Sequence, residues 1–245
     1  MPEAIWMVAA LLSYFVKGLC GFANTLVFTS MLSFSNDNAQ ITPVDLLLGY
    51  PANLAMVWRE RRAISMRVAL PLSLIVIAGD ALGAFFLKGG NPALIKLLFG
   101  FVVLGVSGEM VWREIRLGNG RRKDAPAALA AIGVLSGVMC GLFGVGALLA
   151  AYLRRSAASQ SAFKGTLCFV FSVEMTARIA LYALTGVFTA TSALTVLKLA
   201  PFMAAGLICG MLLSGRVNER IARRITIAAL VASGVALVCV SAAGL

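Results

Sequence analysis

Lys17-Gly18-Leu19-Cys20-Gly21-Phe22-Ala23-Asn24-Thr25 interrupts an apolar run that extends over residues 4–34. A cation and two glycines inside such a run govern how the rest of the chain is read. Glycine in a helix interior costs about 1 kcal/mol relative to alanine and opens turns closed to other residues. The stretch has a counterpart half a chain later. Gly141-Leu142-Phe143-Gly144-Val145-Gly146-Ala147 stands in the apolar run 127–153, and Gly18/Gly141, Leu19/Leu142, Gly21/Gly144 and Leu26/Leu149 are identical at an offset of 123. At an offset of 127, Gly79 and Gly83 meet Gly206 and Gly210, Asn91 meets Asn218, and Lys96 meets Arg223. The chain therefore reads as two related halves, 1–112 and 127–245, joined by a basic linker at 113–126.

Composition sets the solvent. Of the 245 residues, 60% are apolar and 13% charged, where a soluble domain has roughly 45–50% and 25%. A soluble enzyme, a disordered chain and a disulfide scaffold are excluded, and the long continuous runs are unlike the alternating strands of an outer-membrane barrel. An all-α polytopic membrane protein remains, because a span needs about 20 apolar residues. The net charge of +11 reflects basic residues flanking apolar runs, so it speaks of topology and not of nucleic acid. The five cysteines lie in apolar segments without metal-ligand spacing and read as small packing residues. With no histidine in the chain, no histidine relay is available, and neither a metal nor a cofactor is expected. The N-terminus carries Glu3 and no early Lys or Arg, so no cleavable signal is expected.

Hydropathy gives eight segments: 4–34, 43–58, 68–87, 92–112, 127–153, 165–184, 194–214 and 225–245. If all eight cross, nine Lys and Arg fall on each side, against the rule that cytoplasmic loops are basic. If the first and fifth are re-entrant hairpins broken at their glycines, the halves become inverted repeats of three crossings each. Sixteen Lys and Arg then lie inside (in 59–67, 113–123, 154–164 and 216–224), with Lys88 and Lys96 outside. The second arrangement is the expected one, with both termini outside. Non-helical backbone at membrane depth is tolerated where it is buried in protein or lines a cavity. Gly79 and Gly83 read instead as a small-residue packing pair.

The broken hairpins suggest the chemistry. The second arm of each begins near the midplane with free N–H groups and a partial positive charge, and two such ends converging suit an anion. The candidate ligands are Gly18, Gly21, Phe22, Asn24 and Thr25 in the first hairpin and Gly141, Gly144 and Gly146 in the second. Lys17, deep in an apolar run, needs a partner or a ligand. Arg178 stands near the middle of the sixth segment and can donate paired hydrogen bonds to an oxyanion. Glu174, four residues earlier, shares its helix face, and Asp80 is a second intramembrane carboxylate. These two are candidates for a charge pair or for proton coupling. Asp45 and Glu109 read as interfacial, Lys198 as snorkelling, Pro51 and Asn53 as a cavity-lining kink, and Trp6, Trp58 and Trp112 as an aromatic belt.

The motif Lys17-Gly18-Leu19-Cys20-Gly21-Phe22-Ala23 resembles the basic-Gly-x-x-Gly-Phe-Gly signature that opens the sulfite exporter TauE/SafE family, with Ala23 where that pattern has glycine. Gly137-Val138-Met139-Cys140-Gly141-Leu142-Phe143-Gly144-Val145-Gly146 resembles the opening of that family's second half, although Ala147 and Leu148 replace its usual continuation and no proline stands near Met31. Length, duplication and the basic centre also match. The resemblance implies a secondary transporter, an exporter of sulfite or organosulfonates such as sulfoacetate, in the bacterial cytoplasmic membrane. The residues alone imply a small anion. The expected partners are that anion and the lipid bilayer, with a homodimer left open and no nucleic acid. No nucleotide-binding loop or catalytic signature is present, so no enzyme is expected. The alternative function is a passive anion channel.

Overall fold

The structure, a computed structural model, describes residues 2–32, 36, 38–89 and 157–215, with separate positions between 101 and 153 and between 224 and 239. Among these residues it is all-helical, without strands. The helices are α1 (Pro2–Cys20), α2 (Asn24–Leu32), α3 (Asn38–Glu60), α4 (Met66–Gly89), α5 (Gln160–Leu184) and α6 (Ala190–Ser214), with a 3₁₀ turn at Arg61–Ala63. Glu3–Cys20, α5 and α6 are long and apolar enough to cross a membrane. The chain is an integral membrane protein.

Local signals start and stop these helices. Pro2 and Glu3 open α1, and Lys17 lies in its last turn, each suited to the helix dipole there. Ser159 caps α5 by accepting from Ala162 N at 3.0 Å, and Thr189 with Ser192 forms a capping box on α6. At the end of α1, Gly21 takes φ +91° and Ala23 φ +74°. The first suits glycine and the second strains an alanine. This is the position where the family pattern places glycine.

The break turns the chain back on itself: α2 packs against α1 and then against α3. With nine residues, α2 rises about 13 Å, less than half the roughly 30 Å of a bilayer core. Its partner α1 runs parallel along α6. Glu3 meets Lys198 at 2.8 Å at one end, and Gly18 meets Leu207 and Gly210 toward the other. Glycine makes this contact possible. A Cβ on Gly206 would stand 2.3 Å from Leu11 O, and one on Gly210 2.3 Å from Phe15 O.

A second contact of the same kind joins Gly79 of α4 to Val134, Gly137 and Val138. A Cβ on Gly79 would meet Val134 O at 2.5 Å and Val138 N at 2.9 Å, while one on Gly206 meets Leu11 O at 2.3 Å and Phe15 N at 3.1 Å. The glycines differ by 127 in number (206 − 79), and their partners by 123 (134 − 11 and 138 − 15), the two offsets between the sequence halves. Ser136, likewise 123 beyond Ser13, accepts from Leu149 N at 3.2 Å. The two described positions flanking the second glycine motif are therefore side by side. Gly141, Gly144 and Gly146 themselves lie outside the described residues.

One end of the bundle gathers the 59–66 stretch, the start of α5 and the end of α6. Ser65 N donates to Thr166 Oγ1 at 3.3 Å, and Arg59 Nη2 donates to Met211 O at 3.2 Å. Lys164 Nζ donates to Gly18 O at 3.3 Å and to the Ser214 hydroxyl. The sequence reading put Lys164 in an inner loop. It is buried in the first turns of α5 instead, because Ser159 starts that helix earlier.

Candidate functional site

Where the hairpin meets α3, a chain of polar contacts runs inward. Lys17, 1% exposed, donates to Asn24 Oδ1 at 2.9 Å. Asn24 is the first residue of α2, and its amide donates to Asp45 Oδ1 at 3.4 Å. Thr25 donates to Asp45 Oδ2 at 2.6 Å, and the Tyr14 hydroxyl reaches Asp45 O at 3.5 Å. A buried ammonium and carboxylate are thereby bridged by an amide, as burial of charge demands. Asn24 Nδ2 is also 3.7 Å from where a Cβ on Gly49 would stand, and Gly49 is the middle residue of α3. The N-terminus of α2 thus reaches halfway along its neighbour, while Gly21 sits lower, against Lys164.

The second cluster centres on Arg178. Its Nη2 is 2.5 Å from Glu174 Oε1, one turn earlier in α5, and 2.6 Å from Asp80 Oδ1 in α4. All three are buried. The spacing of four residues brings Glu174 and Arg178 together, and the packing of α4 on α5 brings Asp80. Both carboxylates contact the same Nη2, and together they outnumber the charge of the guanidinium.

Between the clusters lies a small cavity of about 10 Å³, lined by Thr25 and Thr29 of α2, Thr42, Asp45 and Leu46 of α3, and Met175 and Arg178 of α5. That is room for about one water. Three threonines, an aspartate and an arginine line it, and a larger guest needs more room than it offers.

The candidate residues separate accordingly. Thr25 and Arg178 line the cavity; Lys17 and Asn24 stand behind Thr25 and Asp45. Glu174 and Asp80 hold Arg178. Gly18 packs on the backbone of α6. Phe22 is core: its ring meets Phe163 edge-on at 6.0 Å, beside Leu149 and Leu167. Asn53 is buried, its amide 3.2 Å from Met175 Sδ, whereas Pro51 is exposed. Lys198 pairs with Glu3 at an exposed end of α1 and α6. Asp45, read as interfacial from the sequence, is buried within the protein at 5% exposure, because α3 begins at Asn38 and places it two turns from the helix start, against α1 and α2. The one signal pointing to it was its place seven residues into an apolar helix.

A family model, Sulfite exporter TauE/SafE, matches residues 6–237. No curated protein and no solved structure matches the chain. The match covers nearly the whole sequence, and the protein belongs to the TauE/SafE sulfite exporter family.

Proposed function

We propose that this TauE/SafE protein is a secondary transporter of small anions, exporting sulfite or an organosulfonate across the bacterial cytoplasmic membrane by alternating access between inverted halves. The carrying observation is the cavity itself. A buried arginine, paired with Glu174 and Asp80, shares its lining with Thr25 and Thr29 of α2, which starts just beyond the break, and with Thr42 of α3. Arg178 would donate to the sulfonyl oxygens, and Thr25, Thr29 and Thr42 would complete their hydrogen bonding. The N–H groups at the start of α2 add partial positive charge. No covalent chemistry is needed.

Three geometric facts support the inverted arrangement. The 59–66 stretch, the start of α5 and the end of α6 meet at one end, whereas eight successive crossings would put 59–67 opposite the other two. The helix α2 is too short to cross. The Gly206 and Gly79 contacts repeat at the offsets of the halves, as a two-fold relation requires. Movement of one half against the other would then open the cavity to alternate sides.

The test is uptake into proteoliposomes across sulfite, sulfoacetate, sulfate, chloride and lactate. The expected result is saturable uptake of a sulfur oxyanion or sulfonate with counterflow. Rapid unsaturable chloride flux would replace the transporter by a channel. Cysteines introduced at 117–120 and 157–160 should label from the same, cytoplasmic side; labelling from opposite sides would remove the inverted arrangement.

A further inference from the structure

The cavity has a carboxylate on its wall that anion binding leaves without a task. Glu174 and Asp80 are both committed to Arg178 Nη2, at 2.5 and 2.6 Å. Among the described residues Asp45 makes no such pair. It accepts from Thr25 Oγ1 at 2.6 Å and from Asn24 Nδ2 at 3.4 Å, and it faces Arg178 across the cavity. The charged and titratable groups around it are Lys17 and Tyr14 from α1, Glu174 and Arg178 from α5, and Asp80 of α4 behind Arg178. The described residues of α6 in the same core, Leu199, Met203 and Leu207, are apolar.

The charges then conflict. Among the described residues, two cations, Lys17 and Arg178, stand with three carboxylates, Asp45, Asp80 and Glu174, so full ionisation of this group leaves one negative charge in excess. An anion on Arg178 would make it two, in an interior where unpaired charge is costly. Asp45 and Arg178 are both buried, so the repulsion acts at low dielectric. An ionised Asp45 and a bound anion therefore exclude each other. A protonated Asp45 keeps its contacts, because the Thr25 hydroxyl can turn from donor to acceptor.

We infer that Asp45 is the coupling carboxylate of this transporter: it binds one proton when an anion enters the cavity and gives that proton up as the anion leaves. The inference rests on the transport reading above. It makes the cycle electroneutral for a monoanion, so that export runs down the anion's own gradient and carries one proton out with each anion, and it favours singly charged sulfonates over dianions such as sulfate. The roles divide, with Arg178 holding the anion, Glu174 and Asp80 holding Arg178, and Asp45 carrying the proton.

The test uses purified protein in liposomes and labelled isethionate, a monoanionic sulfonate. Exchange is measured at equal pH with isethionate on both sides, and net accumulation under an inward proton gradient of one pH unit. With one proton per anion, that gradient sustains about tenfold accumulation. Wild type should exchange, accumulate about tenfold, and acidify an internal pH dye as isethionate enters. Asp45→Asn, which imitates the protonated side chain, should exchange with slowed but saturable kinetics and accumulate nothing. Wild-type exchange without accumulation or acidification would overturn the inference alone, as would accumulation driven by sodium at equal pH. Accumulation by Asp45→Asn would overturn it too, and so would loss of exchange in a variant that still elutes as a folded protein. If that variant does not fold, the wild-type dye signal decides. Absence of exchange in wild type would overturn the transport reading, and this inference with it.

Discussion

Lys17 and Arg178 are both cations sealed in an apolar interior, and they are held in opposite ways. Lys17 meets a neutral amide, Asn24, and reaches Asp45 only through it. Arg178 is gripped directly by two carboxylates. The difference separates fastening from recognition. The Lys17 contact ties the last turn of α1 to the first residue of α2, so it holds the two arms of the hairpin together. The Arg178 contacts fix a planar donor at a cavity wall. A guanidinium carries five N–H groups in a fixed fork, so it can be held by carboxylates and still present donors to a ligand.

Substitutions can break this division. Arg178→Ala should have the largest effect, because it leaves Asp80 and Glu174 facing one another without a cation. Breaking such a buried pair costs about 3–5 kcal/mol, and Asp80→Asn in the same background should recover part of the thermal stability while anion binding stays lost. Recovery of binding would dissolve the distinction. Lys17→Met should cost about 1.5–3 kcal/mol, the worth of a hydrogen bond to a charged group, and should loosen the hairpin, seen as faster hydrogen exchange across α2. Unaltered exchange there would leave Lys17 without its fastening role. Gly210→Ala pushes a methyl into Phe15 O and should destabilise by about 1–3 kcal/mol through overpacking, lowering the melting temperature without altering anion selectivity. The smallest effect should be a gain: Ala23→Gly relieves a left-handed alanine and should stabilise by about 1 kcal/mol. A lower melting temperature would mean that the alanine methyl, buried in the core, outweighs the strain.

Much of this was legible in the residues. The glycine break, the Glu174–Arg178 spacing and the family motif are all local in sequence, and local patterns survive translation into structure. What failed depended on where helices begin. Asp45 follows Asn36, Asp37 and Asn38, so hydropathy places it at a segment edge, yet α3 starts at Asn38 and buries it. Lys164 follows Arg154 and Arg155 and reads as loop, yet the Ser159 cap draws it into α5 against the hairpin. Phe22 lies inside the motif, but which way a side chain points from a broken helix is set by tertiary packing, and it points at Phe163. The convergence of Thr29 and Thr42 with Arg178 required three helices to be placed, which no single segment encodes.

The central claim is that a small sulfur-containing anion sits on Arg178 in the cavity between α2, α3 and α5. Calorimetric titration of sulfite and isethionate into wild type, Arg178→Gln and Thr25→Val tests it most directly, since the glutamine keeps most of the volume and loses the charge. The account predicts saturable binding of one of these anions in wild type, weakened at least about tenfold in Arg178→Gln, a loss of about 1.4 kcal/mol or more, and weakened less in Thr25→Val. Equal affinity in wild type and a folded Arg178→Gln would contradict it.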